Sequence, residues 1–452
     1  MSSTAEAPLT RGSLWKAIWI MSWPLLVTTV CGSISGMVDV QVAGYLGPAA
    51  QAAVGLSEQI IFLFMIFIMS VSVGTTALVS RAFGAGDKGG SVLATAQSLV
   101  LSLMMGTVLA LAALATAALI LPVFSSSAAV IAQGRLYLSI FAGYLVPFSI
   151  LSIINAAFRA IGDAKTPLAV VLAATTVTIA GDYLTVLGNW PVPGLGIKGI
   201  ALSAVAGSTV GGAIALWRLQ TSVLKESLLA LFPVLPGTMA RIVNVGVPSA
   251  FQRLGWAGAV FVLFFILSRC PHPTEALASW TIGMRVEGLI FMPLMAFSLA
   301  VSSIVGQNLG ARRVRRAFRA GWQVTWIGVG LMLVLATAIF ILAEPFARLM
   351  SQDRQTITFT TSYLRINALA EPFLAVAMIL GGALQGAGDT RTPMWISIVC
   401  NWVVRLPLAW LLCLTLAWGP DGAWIAMTVS VIMMGLLTAW RFQSGGWIKV
   451  RV

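Results

Sequence analysis

Charge is what this sequence has least of. Of 452 residues, 27 are Lys or Arg, 14 are Asp or Glu and one is His, so 9% are charged. Soluble domains carry about a quarter. A chain that is 59% hydrophobic, with a mean hydropathy of +0.95, has too little polar surface to dissolve in water. The single histidine, His272, excludes a histidine-built metal site within one chain. Four scattered cysteines, Cys31, Cys270, Cys400 and Cys413, lie in or near apolar segments and suggest neither a disulfide framework nor a metal cluster. No concentrated nucleophile or metal constellation suggests an enzyme, and no cofactor is expected.

What the sequence has in quantity is long apolar runs. One bilayer span needs about 20 apolar residues. The runs fall at 15–45, 51–80, 92–122, 128–158, 166–188 and 197–217, then at 242–269, 276–307, 317–343, 355–385, 392–417 and 422–443. The expected fold is an all-α membrane protein with twelve transmembrane helices in two pseudo-symmetric six-helix lobes. The lobes are expected at 1–217 and 242–452, joined by a cytoplasmic linker at 218–241. Arg11 and Lys16 precede the first run as in a secretory signal, but that run is too long and carries Asp39, so it reads as an uncleaved span. Prolines inside runs (Pro24, Pro147, Pro248, Pro293, Pro372, Pro407) are expected bend points.

The net charge of +13 follows from topology and needs no nucleic acid. With both termini cytoplasmic, 18 Lys and Arg fall on the inner side and 6 on the outer, while Arg253, Arg285 and Arg405 sit within spans.

An internal repeat organises the chain. RAIGDAKTP (159–167) returns as QGAGDTRTP (385–393), and Tyr137, Gly162, Asp163, Thr166 and Pro167 recur 226 residues later as Tyr363, Gly388, Asp389, Thr392 and Pro393. Near the fifth and sixth spans the offset becomes 223, which aligns Asp182 with Arg405. Six spans per half give both halves one orientation, and a substrate path at the repeat interface is the usual consequence.

Ionisable residues within spans are functional candidates, because each costs about 2.5–3.5 kcal/mol on insertion scales. Asp39 in the first span and Asp182 in the fifth form a candidate cation-coupling pair; either can take a proton or Na⁺. The second half holds Arg253, Arg285, Glu287, Glu371 and Arg405. Their charges can compensate as a structural network, or Glu287 and Glu371 can couple ions or touch substrate. Arg285 and Glu287, two apart, point to different sides of a helix. Glu58, early in the second span, reads as solvated or interfacial. Phe261, Phe264 and Phe265 read as lipid-facing or packing residues.

An ordered set of motifs resembles the multidrug and toxic compound extrusion (MATE) family. These are SGMVDVQVAGYLG (35–47), VSRAFGAG (79–86), VGQNLGAR (305–312), GAGDTRTP (386–393) and WVVRLP (402–407). The resemblance implies two lobes in a V and an antiporter that exports organic, often cationic, molecules against Na⁺ or H⁺. One branch of the family uses aspartates in helices one and five, matching Asp39 and Asp182. Its helix-five Asn is Thr178 here, and its helix-six Thr is best matched by Ala204. With those two oxygens lost, H⁺ is favoured over Na⁺. The helix-seven Glu and helix-ten Asp of other branches fall at Trp256 and Leu374.

Three rival readings are weaker. GAGD at 84–87 and 386–389 matches the string of intramembrane aspartyl proteases, but lies in inter-span connections. The loop RAFGAGDK (81–88) lacks the pattern of the major facilitator fold, which also has six plus six spans. A lipid-linked oligosaccharide flippase of the same superfamily would need a large cationic cavity, and a channel would not need paired halves. The expected partners are a small organic substrate and membrane lipid, with the chain a monomer in the inner membrane of a prokaryote.

Overall fold

The computed structural model describes residues 7–124, 127–188 and 194–450. Among them there is no strand. In hydrocarbon, no water satisfies an open backbone N–H or C=O, so each apolar run closes its hydrogen bonds locally as a helix.

The chain forms two compact units, Met1–Val247 and Pro248–Val452. The first contains α1 (Leu14–Tyr45), α2 (Pro48–Gly84), α3 (Lys88–Phe124), α4 (Ala128–Phe141), α5 (Leu145–Ile161), α6 (Lys165–Leu187) and α7 (Ile197–Gln220). A 3-10 turn at Ala142–Tyr144 joins α4 to α5, and together they make one span, Ala128–Ile161. Helix α8 (Pro236–Leu267) begins in the first unit and ends in the second. The second unit continues with α9 (Pro273–Gly310), α10 (Val314–Met350), α11 (Arg354–Ala368), α12 (Glu371–Gly386), α13 (Arg391–Ile398), α14 (Leu406–Trp410) and α15 (Pro420–Gln443). Stretches of π-helix at Val399–Arg405 and Leu411–Thr415 connect α13 to α14 and extend α14.

Eleven helices or joined helices are long and apolar enough to cross a bilayer. The pair α11 and α12, bent by 53°, supplies the twelfth span. The bend falls where Pro372 opens α12, and Pro407 follows the first π-helical stretch. Pro24, Pro248 and Pro293 lie inside continuous helices. Several helices run a turn or so past the apolar runs, as at α2, α9 and α10, because polar ends continue the helix beyond hydrocarbon. Phe261, Phe264 and Phe265 are substantially exposed, at 62%, 40% and 50%, as expected of residues that face lipid.

The repeated GD–TP motif is a helix break. Gly162 and Gly388 take left-handed conformations, φ 94° and 87°, that end α5 and follow α12. Asp163 Oδ1 then accepts from the backbone N–H groups of Lys165 and Thr166, both at 3.0 Å. Asp389 Oδ1 accepts from Thr392 N–H at 3.3 Å and from its hydroxyl at 2.8 Å. Each aspartate thus caps the next helix, which gives the GAGD string of 386–389 a structural role.

The connection after α7 folds onto the first unit. Gln97 Nε2 donates to Pro233 O at 3.2 Å and its Oε1 accepts from Leu235 N–H at 2.8 Å. Lys88 pairs with Glu226 at 3.0 Å. In the second unit, α9 packs on α12 so closely that a Cβ on Gly386 would lie 2.6 Å from the Ser302 carbonyl carbon and nearer still to its oxygen.

Neither side of that contact is a side chain that can swing away. Gly386→Ala is therefore expected to cost about 1–3 kcal/mol, read as a lowered unfolding midpoint in detergent. Gly32→Ala, where a Cβ would meet nothing within 4 Å, is the matched control. Equal midpoints for the two variants would contradict the packing.

Candidate functional site

In the first unit, α6 and α7 approach through small residues. A Cβ on Gly181 would lie 2.7 Å from Ser203 Oγ, one on Gly211 would lie 2.9 Å from Ala174 Cβ, and one on Gly207 would overlap Thr178 Oγ1. This seam lets Ser203 of α7 face Asp182 of α6. Helix α1 lies against α6 and brings Asp39 to the same place, so the two carboxyl groups face each other.

Both are shielded from solvent: Asp39 is 8% exposed and Asp182 0%. Neither can donate a hydrogen bond while ionised. Among the described residues, Asp39 Oδ1 and both oxygens of Asp182 lack a hydrogen-bond donor. Ser203 spends its own proton on Gly199 O at 2.8 Å, and Thr178 spends its proton on Ala174 O at 3.1 Å. Both hydroxyls therefore keep lone pairs, not protons, for anything bound here.

Tyr137 and Tyr144 border the pair, both within electrostatic reach of Asp39. They belong to a ring ladder, Tyr137–Phe141–Tyr144–Phe148, with centroids 5.2, 4.8 and 5.1 Å apart. The Tyr137 hydroxyl is buried without a partner among the described residues. Glu58 of α2 joins the group: it is half-buried and within electrostatic reach of Asp39 and Tyr137. Of the two expectations for Glu58, solvated or interfacial, its half-buried place beside Asp39 fits the second.

The second unit builds a related group with the opposite sign at one corner. Tyr363 packs against Gly283 of α9, where a side chain would collide with its ring. One turn along α9, Glu287 Oε1 accepts from the Tyr363 hydroxyl at 2.5 Å. Arg405 is 7% exposed, donates to Ser430 Oγ at 2.8 Å and is within electrostatic reach of Glu287. Glu371, 5% exposed, also lies within reach of Glu287, and its Oε2 has no partner among the described residues. Arg253 is half-buried and Arg285 exposed, and neither makes an ion pair among the described residues. The structure thus brings Glu287, Glu371 and Arg405 together and leaves Arg285 outside. Trp256 is 42% exposed, and Leu374 half-buried.

Among the described residues, no three His, Cys, Asp or Glu side chains gather as metal ligands. The family model MatE matches residues 24–184 and 248–411, most of both units. The chain belongs to the MatE family of multidrug and toxic compound extrusion transporters. It is 28% identical over 447 residues to a probable multidrug resistance protein NorM of Thermotoga maritima, covering 98% of this chain and 94% of that one. It is 21% identical over 435 residues to the uncharacterized transporter YisQ of Bacillus subtilis, covering 96% and 95%.

The MatE fold is matched over both full chains by two solved structures. One is an outward-facing multidrug resistance MATE family transporter (TM-score 0.90, 21% identity). The other is a MOP superfamily transporter from Pyrococcus furiosus (TM-score 0.89, 21% identity), whose binding pocket is described as reversed in polarity and suggestive of a different function. As a MatE protein, this chain is a multi-pass membrane transporter of small organic molecules.

Sequence reasoning within this MatE chain missed Tyr137, Tyr144 and Ser203. Tyr137 carried a signal, its recurrence as Tyr363, which marked the repeat and not a site. Ser203 is one residue from Ala204, the position that motif matching selected.

The two repeated tyrosines differ in one measurable respect. Tyr363→Phe removes a hydrogen bond to a carboxylate and should cost about 1.5–3 kcal/mol. Tyr137→Phe removes a hydroxyl without a partner and should cost close to nothing. Thermal unfolding of the two purified variants at neutral pH checks this, and equal losses would contradict the assignment.

Proposed function

We propose that this MatE transporter is a cation-coupled antiporter, driven by H⁺ in preference to Na⁺, that exports cationic or amphipathic organic molecules. The observation that carries the reading is the Asp39–Asp182 pair: two buried carboxylates facing each other, three of whose four oxygens lack a donor among the described residues. Two such charges in a low dielectric call for one shared proton or one bound cation. A proton and a cationic substrate therefore compete for one negative site, which is the minimum requirement for exchange.

In the proposed cycle, a proton arriving from outside neutralises the pair and releases substrate. The site then becomes accessible from inside, the proton leaves, and new substrate binds. Na⁺ is the weaker candidate because it needs several oxygen ligands while a proton needs one base, and Ala204 supplies no side-chain oxygen where the resembling branch has a Thr. Ser203 nevertheless offers an oxygen beside Asp182 that motif matching at Ala204 did not anticipate. Glu287 and Glu371 are candidates for a further substrate or ion contact, with Arg405 balancing them.

The basic-residue bias supports cytoplasmic termini in the inner membrane of a prokaryote. The description of the Thermotoga maritima relative supports multidrug export. A flippase for a pyrophosphate-linked lipid is less well supported, since Arg405 is engaged by Ser430 and lies near Glu287.

Efflux of a cationic dye from proteoliposomes should proceed under a pH gradient, acid on the outer side, with Na⁺ omitted. Asp39→Asn and Asp182→Asn, at equal reconstitution, should each reduce it to the protein-free background. Unaltered efflux in both variants would defeat the mechanism, and a strict Na⁺ requirement would reverse the choice of ion.

A further inference from the structure

The start of α10 carries a charge pattern that transport does not use. Arg312, Arg313, Arg315, Arg316 and Arg319 crowd the turn before the helix and its first two turns. The bland account is a topology signal, and the repeat argues against it as the whole explanation. A topology signal serves a six-span half the same way in each repeat, yet at an offset of 226 residues Arg315 and Arg319 correspond to Gly89 and Leu93. Trp322 and Trp326 correspond to Ala96 and Val100. The nearby cation in the first half, Lys88, is paired with Glu226. Orientation alone calls for no such excess in one copy.

Arg315, Arg319, Trp322 and Trp326 are spaced four, three and four apart, so they form one stripe on α10. Arg312, Arg315 and Arg319 are exposed, and Trp326 is 63% exposed. Among the described residues these three arginines make no ion pair. The sequence has no Asp or Glu from Gly288 to Ala343. The neighbouring cation Arg441 on α15 is already held by Asp389 at 2.6 Å.

The apolar part of the stripe is held in place. Trp322 stacks on Trp326 at 5.9 Å and meets the edge of Phe442 at 6.3 Å. Phe442 in turn stacks on Phe318 at 5.5 Å and on Trp447 at 4.7 Å. Helix α10 is also the span whose apolar window is least buried, at 22%. At 37 residues it would extend about 55 Å, well past a hydrocarbon core of about 30 Å. Its first turns therefore emerge at headgroup level, with Trp326 about 10 Å deeper than Arg319.

We infer that Arg312 and the Arg315–Arg319–Trp322–Trp326 stripe bind an anionic phospholipid. The guanidinium groups take the phosphodiester and the two indoles line the acyl chains below it. Charge complementarity selects the occupant: unpaired guanidinium groups above an aromatic belt match a monoanionic headgroup with its chains attached.

The test uses the purified full-length transporter in nanodiscs containing brominated phosphatidylglycerol or brominated phosphatidylcholine, with quenching of tryptophan fluorescence as readout. Phosphatidylglycerol should quench more strongly at equal mole fraction, and Trp326→Phe should reduce that difference. Arg315→Gln/Arg319→Gln should weaken the preference about tenfold or more. Lys165→Gln/Lys198→Gln, which removes equal charge elsewhere, should leave it intact. Equal quenching by both lipids, or a preference retained in the arginine variant, would overturn the assignment. Loss of the preference in inorganic phosphate, but not in chloride of matched ionic strength, would assign the arginines to free phosphate and overturn it too.

Discussion

Backbone polar groups cannot be left open in hydrocarbon, and the rest of this molecule follows from that constraint. It makes every described span a helix and extends to the side chains. Thr28, Thr75, Thr176 and Thr337 each return a hydroxyl proton to the carbonyl four residues back, at 2.7–2.8 Å. Polar atoms inside the spans are thus mostly silenced by their own helix. The carboxylates of Asp39 and Asp182 are not, and an ionised carboxylate can only accept. Among the buried groups of the first unit that lack a partner, these carboxylates are the ones that carry a charge.

The two units solve one packing problem with one sequence pattern and then diverge chemically. In both, a glutamate on the second span of the unit lies within electrostatic reach of the repeated tyrosine of the fourth. At the fifth span the sign inverts, with Asp182 in one unit and Arg405 in the other. In the second unit the cation offsets Glu287, and the tyrosine hydroxyl is committed to that same carboxylate. In the first no cation is present in the group, and Tyr137 retains a hydroxyl without a partner among the described residues. The second cluster thus sets Arg405 against its two acids, Glu287 and Glu371, and this asymmetry between the units is what the proposed exchange at the first rests on.

Much of the fold was legible in the sequence because membrane spans are long and uniform, and because the GD–TP breaks recur at a fixed offset. Span ends were less legible: α9 and α10 continue through polar residues that hydropathy discounts. Asp39 and Asp182 stood out as charges in apolar runs. Their neighbours did not, since Tyr137, Tyr144 and Ser203 are ordinary helix residues until α4, α6 and α7 are set side by side. Glu58 could be placed only near a span end, because linear position says nothing about which way the side chain faces. Arg285 and Arg405 looked equivalent as intramembrane cations, and only packing separates the exposed one from the buried one.

The glycine seam between α6 and α7 has a consequence for descent. Gly181 and Gly207 leave no room for a Cβ beside Ser203 and Thr178, and Gly211 leaves little beside Ala174. A side chain at Gly207 would need the seam to widen, because its Cβ would overlap Thr178 Oγ1. The two helices are thus fixed as a pair, and a bulkier residue on one face of the seam has to be met by a smaller one on the other.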